Sequence, residues 1–223
     1  MWHRGVGGYG ILVSMPNPPT ASRADILPSG EAGIKRALEF LRAGEVIGFP
    51  TDTVYGLAAL AADQAAVRRI YELKGRSLSQ PLVLMLADPD AVGAWAVVDE
   101  RSRRYMRRWW PGPLTLVLPA APGLRPPLVA GRPRTLGVRV PAHGPALALL
   151  RAADTGLATT SANLSGQQPA QTPLEAAWVR GVAAVIDAGR TPGGVPSTVL
   201  DLSGPEPRVL REGAVPAAEL LAG

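Results

Sequence analysis

Cysteine is absent from the 223 residues, which excludes disulfides, zinc ribbons and thiol nucleophiles together. Histidine is almost as scarce. His3 and His143 are the only two, so neither a histidine metal centre nor a Ser-His-Asp triad has the material to form. Lysine is reduced to Lys35 and Lys74, and arginine carries the rest of the positive charge behind a formal net of +5. No apolar run approaches the roughly 18 residues of a membrane span, and no membrane contact is expected. The familiar nucleotide loops are missing as well: no G-x-G-x-x-G follows a predicted strand, and no G-x-x-x-x-G-K-[ST] occurs. Internal repeats and linkers are also lacking. Chemistry here must rest on arginine, lysine, hydroxyls, amides, backbone groups and any metal ion that arrives with a substrate.

Apolar residues make up 47% of the chain, enough to bury a sizeable core. Residues 1–28 read as a flexible N-terminal extension, with one arginine and scattered glycines over its first 20 residues and no block resembling a signal peptide. Met15 is a second candidate start. The expected location is the cytoplasm. Residues 29–223 read as one domain. Helices are predicted over 29–44, from Asp63 to the Lys74-Gly75 stop, over 88–109 with a break near Val98-Asp99, over 145–153, over 173–180 and at the end of the chain. Strands are predicted over 45–49, 81–87, 114–118, 136–140, 157–160, 183–187, 198–202 and 208–210, and a proline-rich loop over 120–133. The run 81–87 is apolar throughout, as in a strand buried on both faces. This order mixes βα units with strands that can pair as hairpins. The expected fold is therefore α/β, a mixed parallel and antiparallel twisted sheet surrounded by helices.

Five short segments are richer in polar side chains than packing requires. Residues 50–57, PTDTVYGL, place hydroxyls and a carboxylate after a strand, as in a crevice at a sheet edge or in a side-chain-bonded turn. Lys74-Gly75-Arg76, followed by Gln80-Pro81, sets two cations around a glycine; they fit either a polyphosphate or the C-terminal dipole of their own helix. Arg139 stands inside the apolar strand TLGVRVP, where a charge is costly unless paired. Either a buried ion pair or a substrate carboxylate can satisfy it. The fourth segment is ATTSANLSG over 158–166; the fifth joins Pro196-Ser197-Thr198-Val199 to Leu210-Arg211-Glu212-Gly213. Hydroxyl-rich loops at several strand ends point to one shared pocket. Separately, Arg101, Arg103, Arg104, Arg107 and Arg108 cluster with Tyr105, Trp109 and Trp110. That pattern fits RNA binding, or a helix whose buried stripe is Ser102, Met106, Trp109 and Trp110 with the arginines solvated. His143 is expected in a helix-start loop without chemistry.

Taken in order, FPTDTVYGLAA, KGRSLSQPLVLML, WWPGPLTLVLP, TLGVRVPAH, TTSANLSG, PSTVLDL and VLREGAV resemble the YrdC-like family of L-threonylcarbamoyladenylate synthases, over residues 49–215. The resemblance implies a concave basic cavity in the short form of the family, without its extra C-terminal domain. It implies condensation of L-threonine, bicarbonate and ATP, with Mg²⁺ carried by the ATP phosphates, to threonylcarbamoyl-AMP and pyrophosphate. A tRNA-modifying threonylcarbamoyl-transferase complex would take the product, and a contact with tRNA itself is a further expectation. By motif, Thr53, Arg139, Thr159 and Ser197 would hold threonine. Lys74, Arg76, Gln80, Thr135, Ser161, Asn163 and Arg211 would hold ATP, and Lys74, Arg76 and Arg139 would act in catalysis. No resident metal site is implied. Met85 replaces a histidine that a number of relatives place near threonine, and Gln80 replaces a frequent asparagine. Two other readings of the same resemblance remain: an RNA-binding paralogue, or carbamoyl transfer to a different acceptor.

Overall fold

Short apolar strands separated by small polar loops assemble into a single ten-stranded sheet in the computed structural model of the protein, which describes residues 24–124 and 134–221. The first half of the chain forms β1 (Asp25–Pro28), α1 (Glu31–Arg42), β2 (Ile47–Phe49), β3 (Gly56–Leu60), α2 (Gln64–Lys74), β4 (Val83–Met85), a 3-10 turn (Pro89–Ala94) and α3 (Glu100–Trp109). The second half forms β5 (Leu114–Pro119), β6 (Thr135–Arg139), α4 (Gly144–Ala153), β7 (Leu157–Ser161), α5 (Pro173–Ala177), β8 (Ala184–Asp187), β9 (Thr198–Asp201), β10 (Arg208–Arg211) and α6 (Ala217–Leu221). Strand order is β1-β8-β2-β3-β7-β4-β6-β5-β9-β10. β8 lies parallel to both β1 and β2, β4 to β6 and β5 to β9, while the other neighbours are antiparallel. The mixed sheet is the one that the element order predicts.

Alternation along the strands separates two faces. Leu57, Ala59, Leu84, Leu116, Val138, Ala158 and Leu200 belong to a core that includes Val67 and Ile70 of α2, Met106 of α3 and Ala176 of α5. The residues between them point the other way. At the β1-β8-β2-β3 end they meet α1 and α4: Leu27, Ile47, Ala58 and Ile186 share a second core with Ile34, Leu41, Ala146 and Leu149. That second core reaches Leu157 of β7 and Met85 of β4, and beyond them the second face is no longer covered. There the outward residues of β7, β4, β6, β5 and β9 floor a cavity.

Four elements differ from the sequence expectation. Asp25–Pro28, read as the end of an extension, is a parallel edge strand on β8; four residues with a proline are too short to show a period. Residues 1–23 and the proline-rich stretch 125–133 lie outside the described residues. β3 was hidden because GLAAL, buried almost throughout, has no alternation to separate it from a polar loop. The run 81–87 yields only the three-residue β4. Leu84 lies in the first core and Met85 in the second, with Val83 packed against it, as in a strand buried on both faces, and Val83 and Met85 also line the cavity. α5 stops at Ala177 instead of continuing to residue 180.

α2 leads the chain to the cavity rim. Asp63 accepts hydrogen bonds from the Ala65 and Ala66 amides at 3.0 Å each, satisfying two otherwise orphaned donors. Gly75, at φ +57°, ends the helix in the left-handed conformation that a side chain resists. Asp63→Ala is expected to lower stability by about 1 kcal/mol. In a thermal melt that is a fall of about 2–4 °C for a chain of this size.

Candidate active site

The cavity has a volume of about 420 Å³, within the range of small-molecule sites, about 300–1,000 Å³. Its floor is one stripe of alternate residues: Thr159, Val83 and Met85, Gly137 and Arg139, Thr115 and Val117, then Val199. Loops at the strand ends add Thr51 and Thr53, Arg76 and Gln80, and Ser197 and Arg211. Among the described residues no carboxylate and no histidine lines it. Three guanidiniums and a set of hydroxyls face one another across a partly apolar floor.

Arg139 answers the question posed by a charge inside an apolar strand. Its Nη2 meets Asp52 Oδ1 at 2.6 Å, its Nη1 donates to Thr53 Oγ1 at 3.0 Å, and its Nε donates to the Gly112 carbonyl at 3.0 Å. The side chain is 3% exposed and that of Asp52 11%. Burial lowers the Arg139 pKa below its ordinary value, and the Asp52 charge opposes that. Both sequence readings of this arginine therefore apply: it is a buried ion pair, and it lies in the cavity wall. Among the described residues three of its five N–H donors are held by protein, and two remain. The Asp52 Oδ2 and His143 Nδ1 atoms are buried without hydrogen-bond partners among the described residues. His143 occupies the cap position before α4, and burial lowers its pKa against the opposing charge of Asp52.

Arg211 is held more loosely. It donates to the Ser197 carbonyl at 2.8 Å and lies 3.4 Å from Ser197 Oγ. Burial, then the charges of Arg139 and Arg76, push its pKa below the usual range, so the three cations are within electrostatic reach of one another. Arg76 donates through Nε and Nη2 to the carbonyls of Gln80 and Pro81, each at 3.1 Å. These bonds shape the 76–81 loop.

Thr53, Arg76, Gln80, Thr135, Arg139, Thr159, Ser161, Ser197 and Arg211 all line this one cavity. Lys74 and Asn163 do not. Lys74 is 3% exposed and sits behind the wall, where Nζ donates to the Ser161 carbonyl, to the Asn163 carbonyl at 2.7 Å and to Asn163 Oδ1 at 2.9 Å. Ser161 Oγ donates to the same Oδ1 at 2.6 Å. Asn163 Nδ2 in turn donates to the carbonyls of Leu164 and Gln167. Burial, followed by the Arg76 charge, lowers the Lys74 pKa to about 8; the surrounding oxygens hold the ammonium in place.

Sequence reasoning missed Thr115 and Tyr55. Thr115 lies 2.9 Å from Ser197 Oγ, and its one signal is a hydroxyl at an alternate position among leucines. Tyr55 donates to the Gly189 carbonyl at 2.8 Å, and burial pushes its phenol up to about 12, so it is not a base near neutral pH. With no general base on its walls, the arrangement is suited to gripping anions and aligning them.

A family model described as "Telomere recombination", covering the Sua5, YciO and YrdC proteins, matches residues 39–213. The threonylcarbamoyl-AMP synthase of Pyrococcus abyssi is 40% identical over 190 residues, 84% of this chain. That of Thiobacillus denitrificans is 41% identical over 172 residues, covering 74% of this chain and 88% of its own length. A crystal structure of P. abyssi Sua5 complexed with L-threonine superposes with a TM-score of 0.83 and 37% identity, over 88% of this chain and 59% of that one. This chain spans about 56% of the length of the Pyrococcus protein.

Removing the Asp52 carboxylate would leave Arg139 as an uncompensated buried charge. Asp52→Ala is expected to cost about 3–5 kcal/mol in denaturant unfolding, well above the effect of an exposed substitution; a change within about 0.5 kcal/mol would refute the pairing. For Lys74, the folded pKa of about 8 lies below its ordinary 10.5, so between those values the unfolded chain binds more protons. Stability attributable to Lys74 therefore rises with pH across that window, and its charging cost is fully present below it. Comparing wild type with Lys74→Met in urea at pH 7 and at pH 10 should show this rise in the wild type alone.

Proposed function

Since this chain belongs to the Sua5/YciO/YrdC family, we propose that it is an L-threonylcarbamoyladenylate synthase, condensing L-threonine, bicarbonate and ATP to threonylcarbamoyl-AMP and pyrophosphate. The observation that carries this reading is the convergence of Arg76, Arg139 and Arg211 on one hydroxyl-lined cavity without a carboxylate. Two anionic substrates, an amino-acid carboxylate and a triphosphate, suit such walls. The threonine amine combines with bicarbonate to give a carbamate and water. A carbamate oxygen then attacks the α-phosphate, the bond to the β-phosphate breaks, and pyrophosphate leaves.

The two free donors of Arg139, with Thr53, Thr159 and Ser197, hold the threonine end and keep its amine free. Arg76, Arg211, Gln80, Thr135 and Ser161 take the nucleotide, which brings Mg²⁺ on its phosphates. Lys74 and Asn163 act through Ser161, whose position they fix. This step needs alignment and charge stabilisation more than a strong base, which fits a wall without titratable groups near neutral pH. The product is a mixed anhydride, and a tRNA-modifying threonylcarbamoyl-transferase complex in the cytoplasm is its consumer. Among the described residues no helix is long and apolar enough to cross a membrane.

Incubation with ATP, bicarbonate, Mg²⁺ and labelled threonine should release pyrophosphate only when threonine is present. Arg211→Ala should lower kcat/KM for ATP by about 10- to 100-fold, the loss of one charge-assisted hydrogen bond to phosphate. Pyrophosphate release that is indifferent to threonine, or an Arg211→Ala enzyme equal to wild type, would remove the proposal.

A further inference from the structure

Two buried hydroxyls on the cavity wall satisfy each other and leave one proton over. Thr115 Oγ1 and Ser197 Oγ lie 2.9 Å apart, and the two residues are only 1% and 6% exposed. Among the described residues the sole other neighbour of this pair is Arg211 Nη2, 3.4 Å from Ser197 Oγ, and a guanidinium can only donate. One hydrogen bond between two O–H groups uses one proton. The other proton therefore has no acceptor on the described protein, and a buried donor left so is costly. Both residues line the cavity, where a ligand oxygen can take it.

The surroundings settle which hydroxyl sends its proton to the ligand. Arg211 keeps one lone pair of Ser197 Oγ turned toward its own N–H. Thr115 donating into the second lone pair leaves Ser197 to donate outward, and a hydroxyl that receives two donors is itself a better donor. Thr115 is held in that pose from its other side. A Cβ added to Gly137 would meet Thr115 Cγ2 at 3.6 Å, an ordinary packing distance, so the threonine methyl rests beside the bare glycine. A β-branched side chain has few χ1 choices. With the methyl placed on β6, the hydroxyl is directed to the opposite side, toward Ser197 just ahead of β9.

The same register brings in Arg139. Leu116 pairs with Val138 across β5 and β6, and one residue further along sets Thr115 beside Arg139 on the cavity face. Cross-strand neighbours have Cβ atoms about 4.5–5.5 Å apart. The two unheld donors of Arg139 and the outward Ser197 O–H are thus within reach of one small anion.

We propose that Thr115 is a positioning residue of the amino-acid subsite: it donates to Ser197 Oγ and so turns the Ser197 O–H onto the carboxylate that Arg139 binds. The inference rests on the synthase reading of the cavity and adds to it a side chain that acts through Ser197. Its effect falls on threonine rather than on ATP, because the shorter bond of Arg211, 2.8 Å, is to the Ser197 backbone carbonyl and does not depend on the serine hydroxyl.

The test is threonine-dependent pyrophosphate release by the full chain, with calorimetric binding of L-threonine alongside. Thr115→Val keeps a methyl beside Gly137 and removes the hydroxyl. It should raise the KM for threonine about 3- to 10-fold, the range of one hydrogen bond, while the KM for ATP and the melting temperature hold. Thr115→Ser, which keeps the hydroxyl, should recover most of the loss. Ser197→Ala and the double variant Ser197→Ala, Thr115→Val should share one threonine KM, since the second change has nothing left to act through. A wild-type threonine KM in Thr115→Val, an equal rise in its KM for ATP, or losses that add in the double variant would overturn the assignment and leave the synthase reading standing. If Thr115→Val does not fold, a Thr115→Ser enzyme as impaired toward threonine as Ser197→Ala overturns it instead. A wild type that neither binds threonine nor releases pyrophosphate in response to it would remove both.

Discussion

A single buried guanidinium organises the cavity. Arg139 lies in the floor of the sheet, and its three held donors reach two separate pieces of chain: Asp52 and Thr53 in the turn between β2 and β3, and the Gly112 carbonyl ahead of β5. Charge in so dry a place is stable only if paired and hydrogen-bonded. That requirement forces the β2–β3 turn and the loop before β5 to close around β6. Thr51 continues the same knot, 2.9 Å from Thr53 Oγ1 and donating to the Val54 carbonyl at 2.7 Å. The rim of the site is thereby built by the demands of its floor.

A second, quieter constraint works from the other side. Lys74 ends α2 with its ammonium turned into the backbone carbonyls of Ser161 and Asn163, so a helix terminus and a strand end are fastened together. Arg76, one turn-forming glycine later, fixes the loop that carries Gln80. Both cations thus spend part of their donor capacity on protein. The less committed donors belong to Arg211, on an edge strand, where movement toward a ligand meets less resistance. Rigid charge in the floor and adjustable charge at the rim is an arrangement suited to clasping a small acid and then a larger polyphosphate.

The two halves of the second sheet face differ in cover and in part of their side chains. α1 and α4 fill the end from β1 to β3 with apolar side chains, and the same alternating register, once past their reach, exposes Thr159, Val83, Gly137, Thr115 and Val199 as a floor. Past that boundary Val83, Val117 and Val199 keep the floor partly apolar, while Thr159, Thr115, Gly137 and Arg139 stand at the other outward positions. A cavity forms where packing partners run out.

Local patterns were enough to read much of this protein. The Asp63 cap, the Gly75 stop, the Asp99 break before α3 and the mixed character of the sheet follow from short-range chemistry, and the ordered motifs pointed to nine residues that do line one cavity. The amphipathic stripe of α3, too, was visible as Ser102, Met106 and the tryptophans. What required tertiary structure was anything set by pairing across the chain. β1 gains its strand identity from β8, more than 150 residues away, and β3 from its two neighbours rather than from its own sequence. Asp52 as the partner of Arg139, the retreat of Lys74 behind the wall, and Thr115 facing inward all depend on which strand lies beside which. A sequence states which residues dislike water or need a partner; only the folded sheet decides where that partner stands.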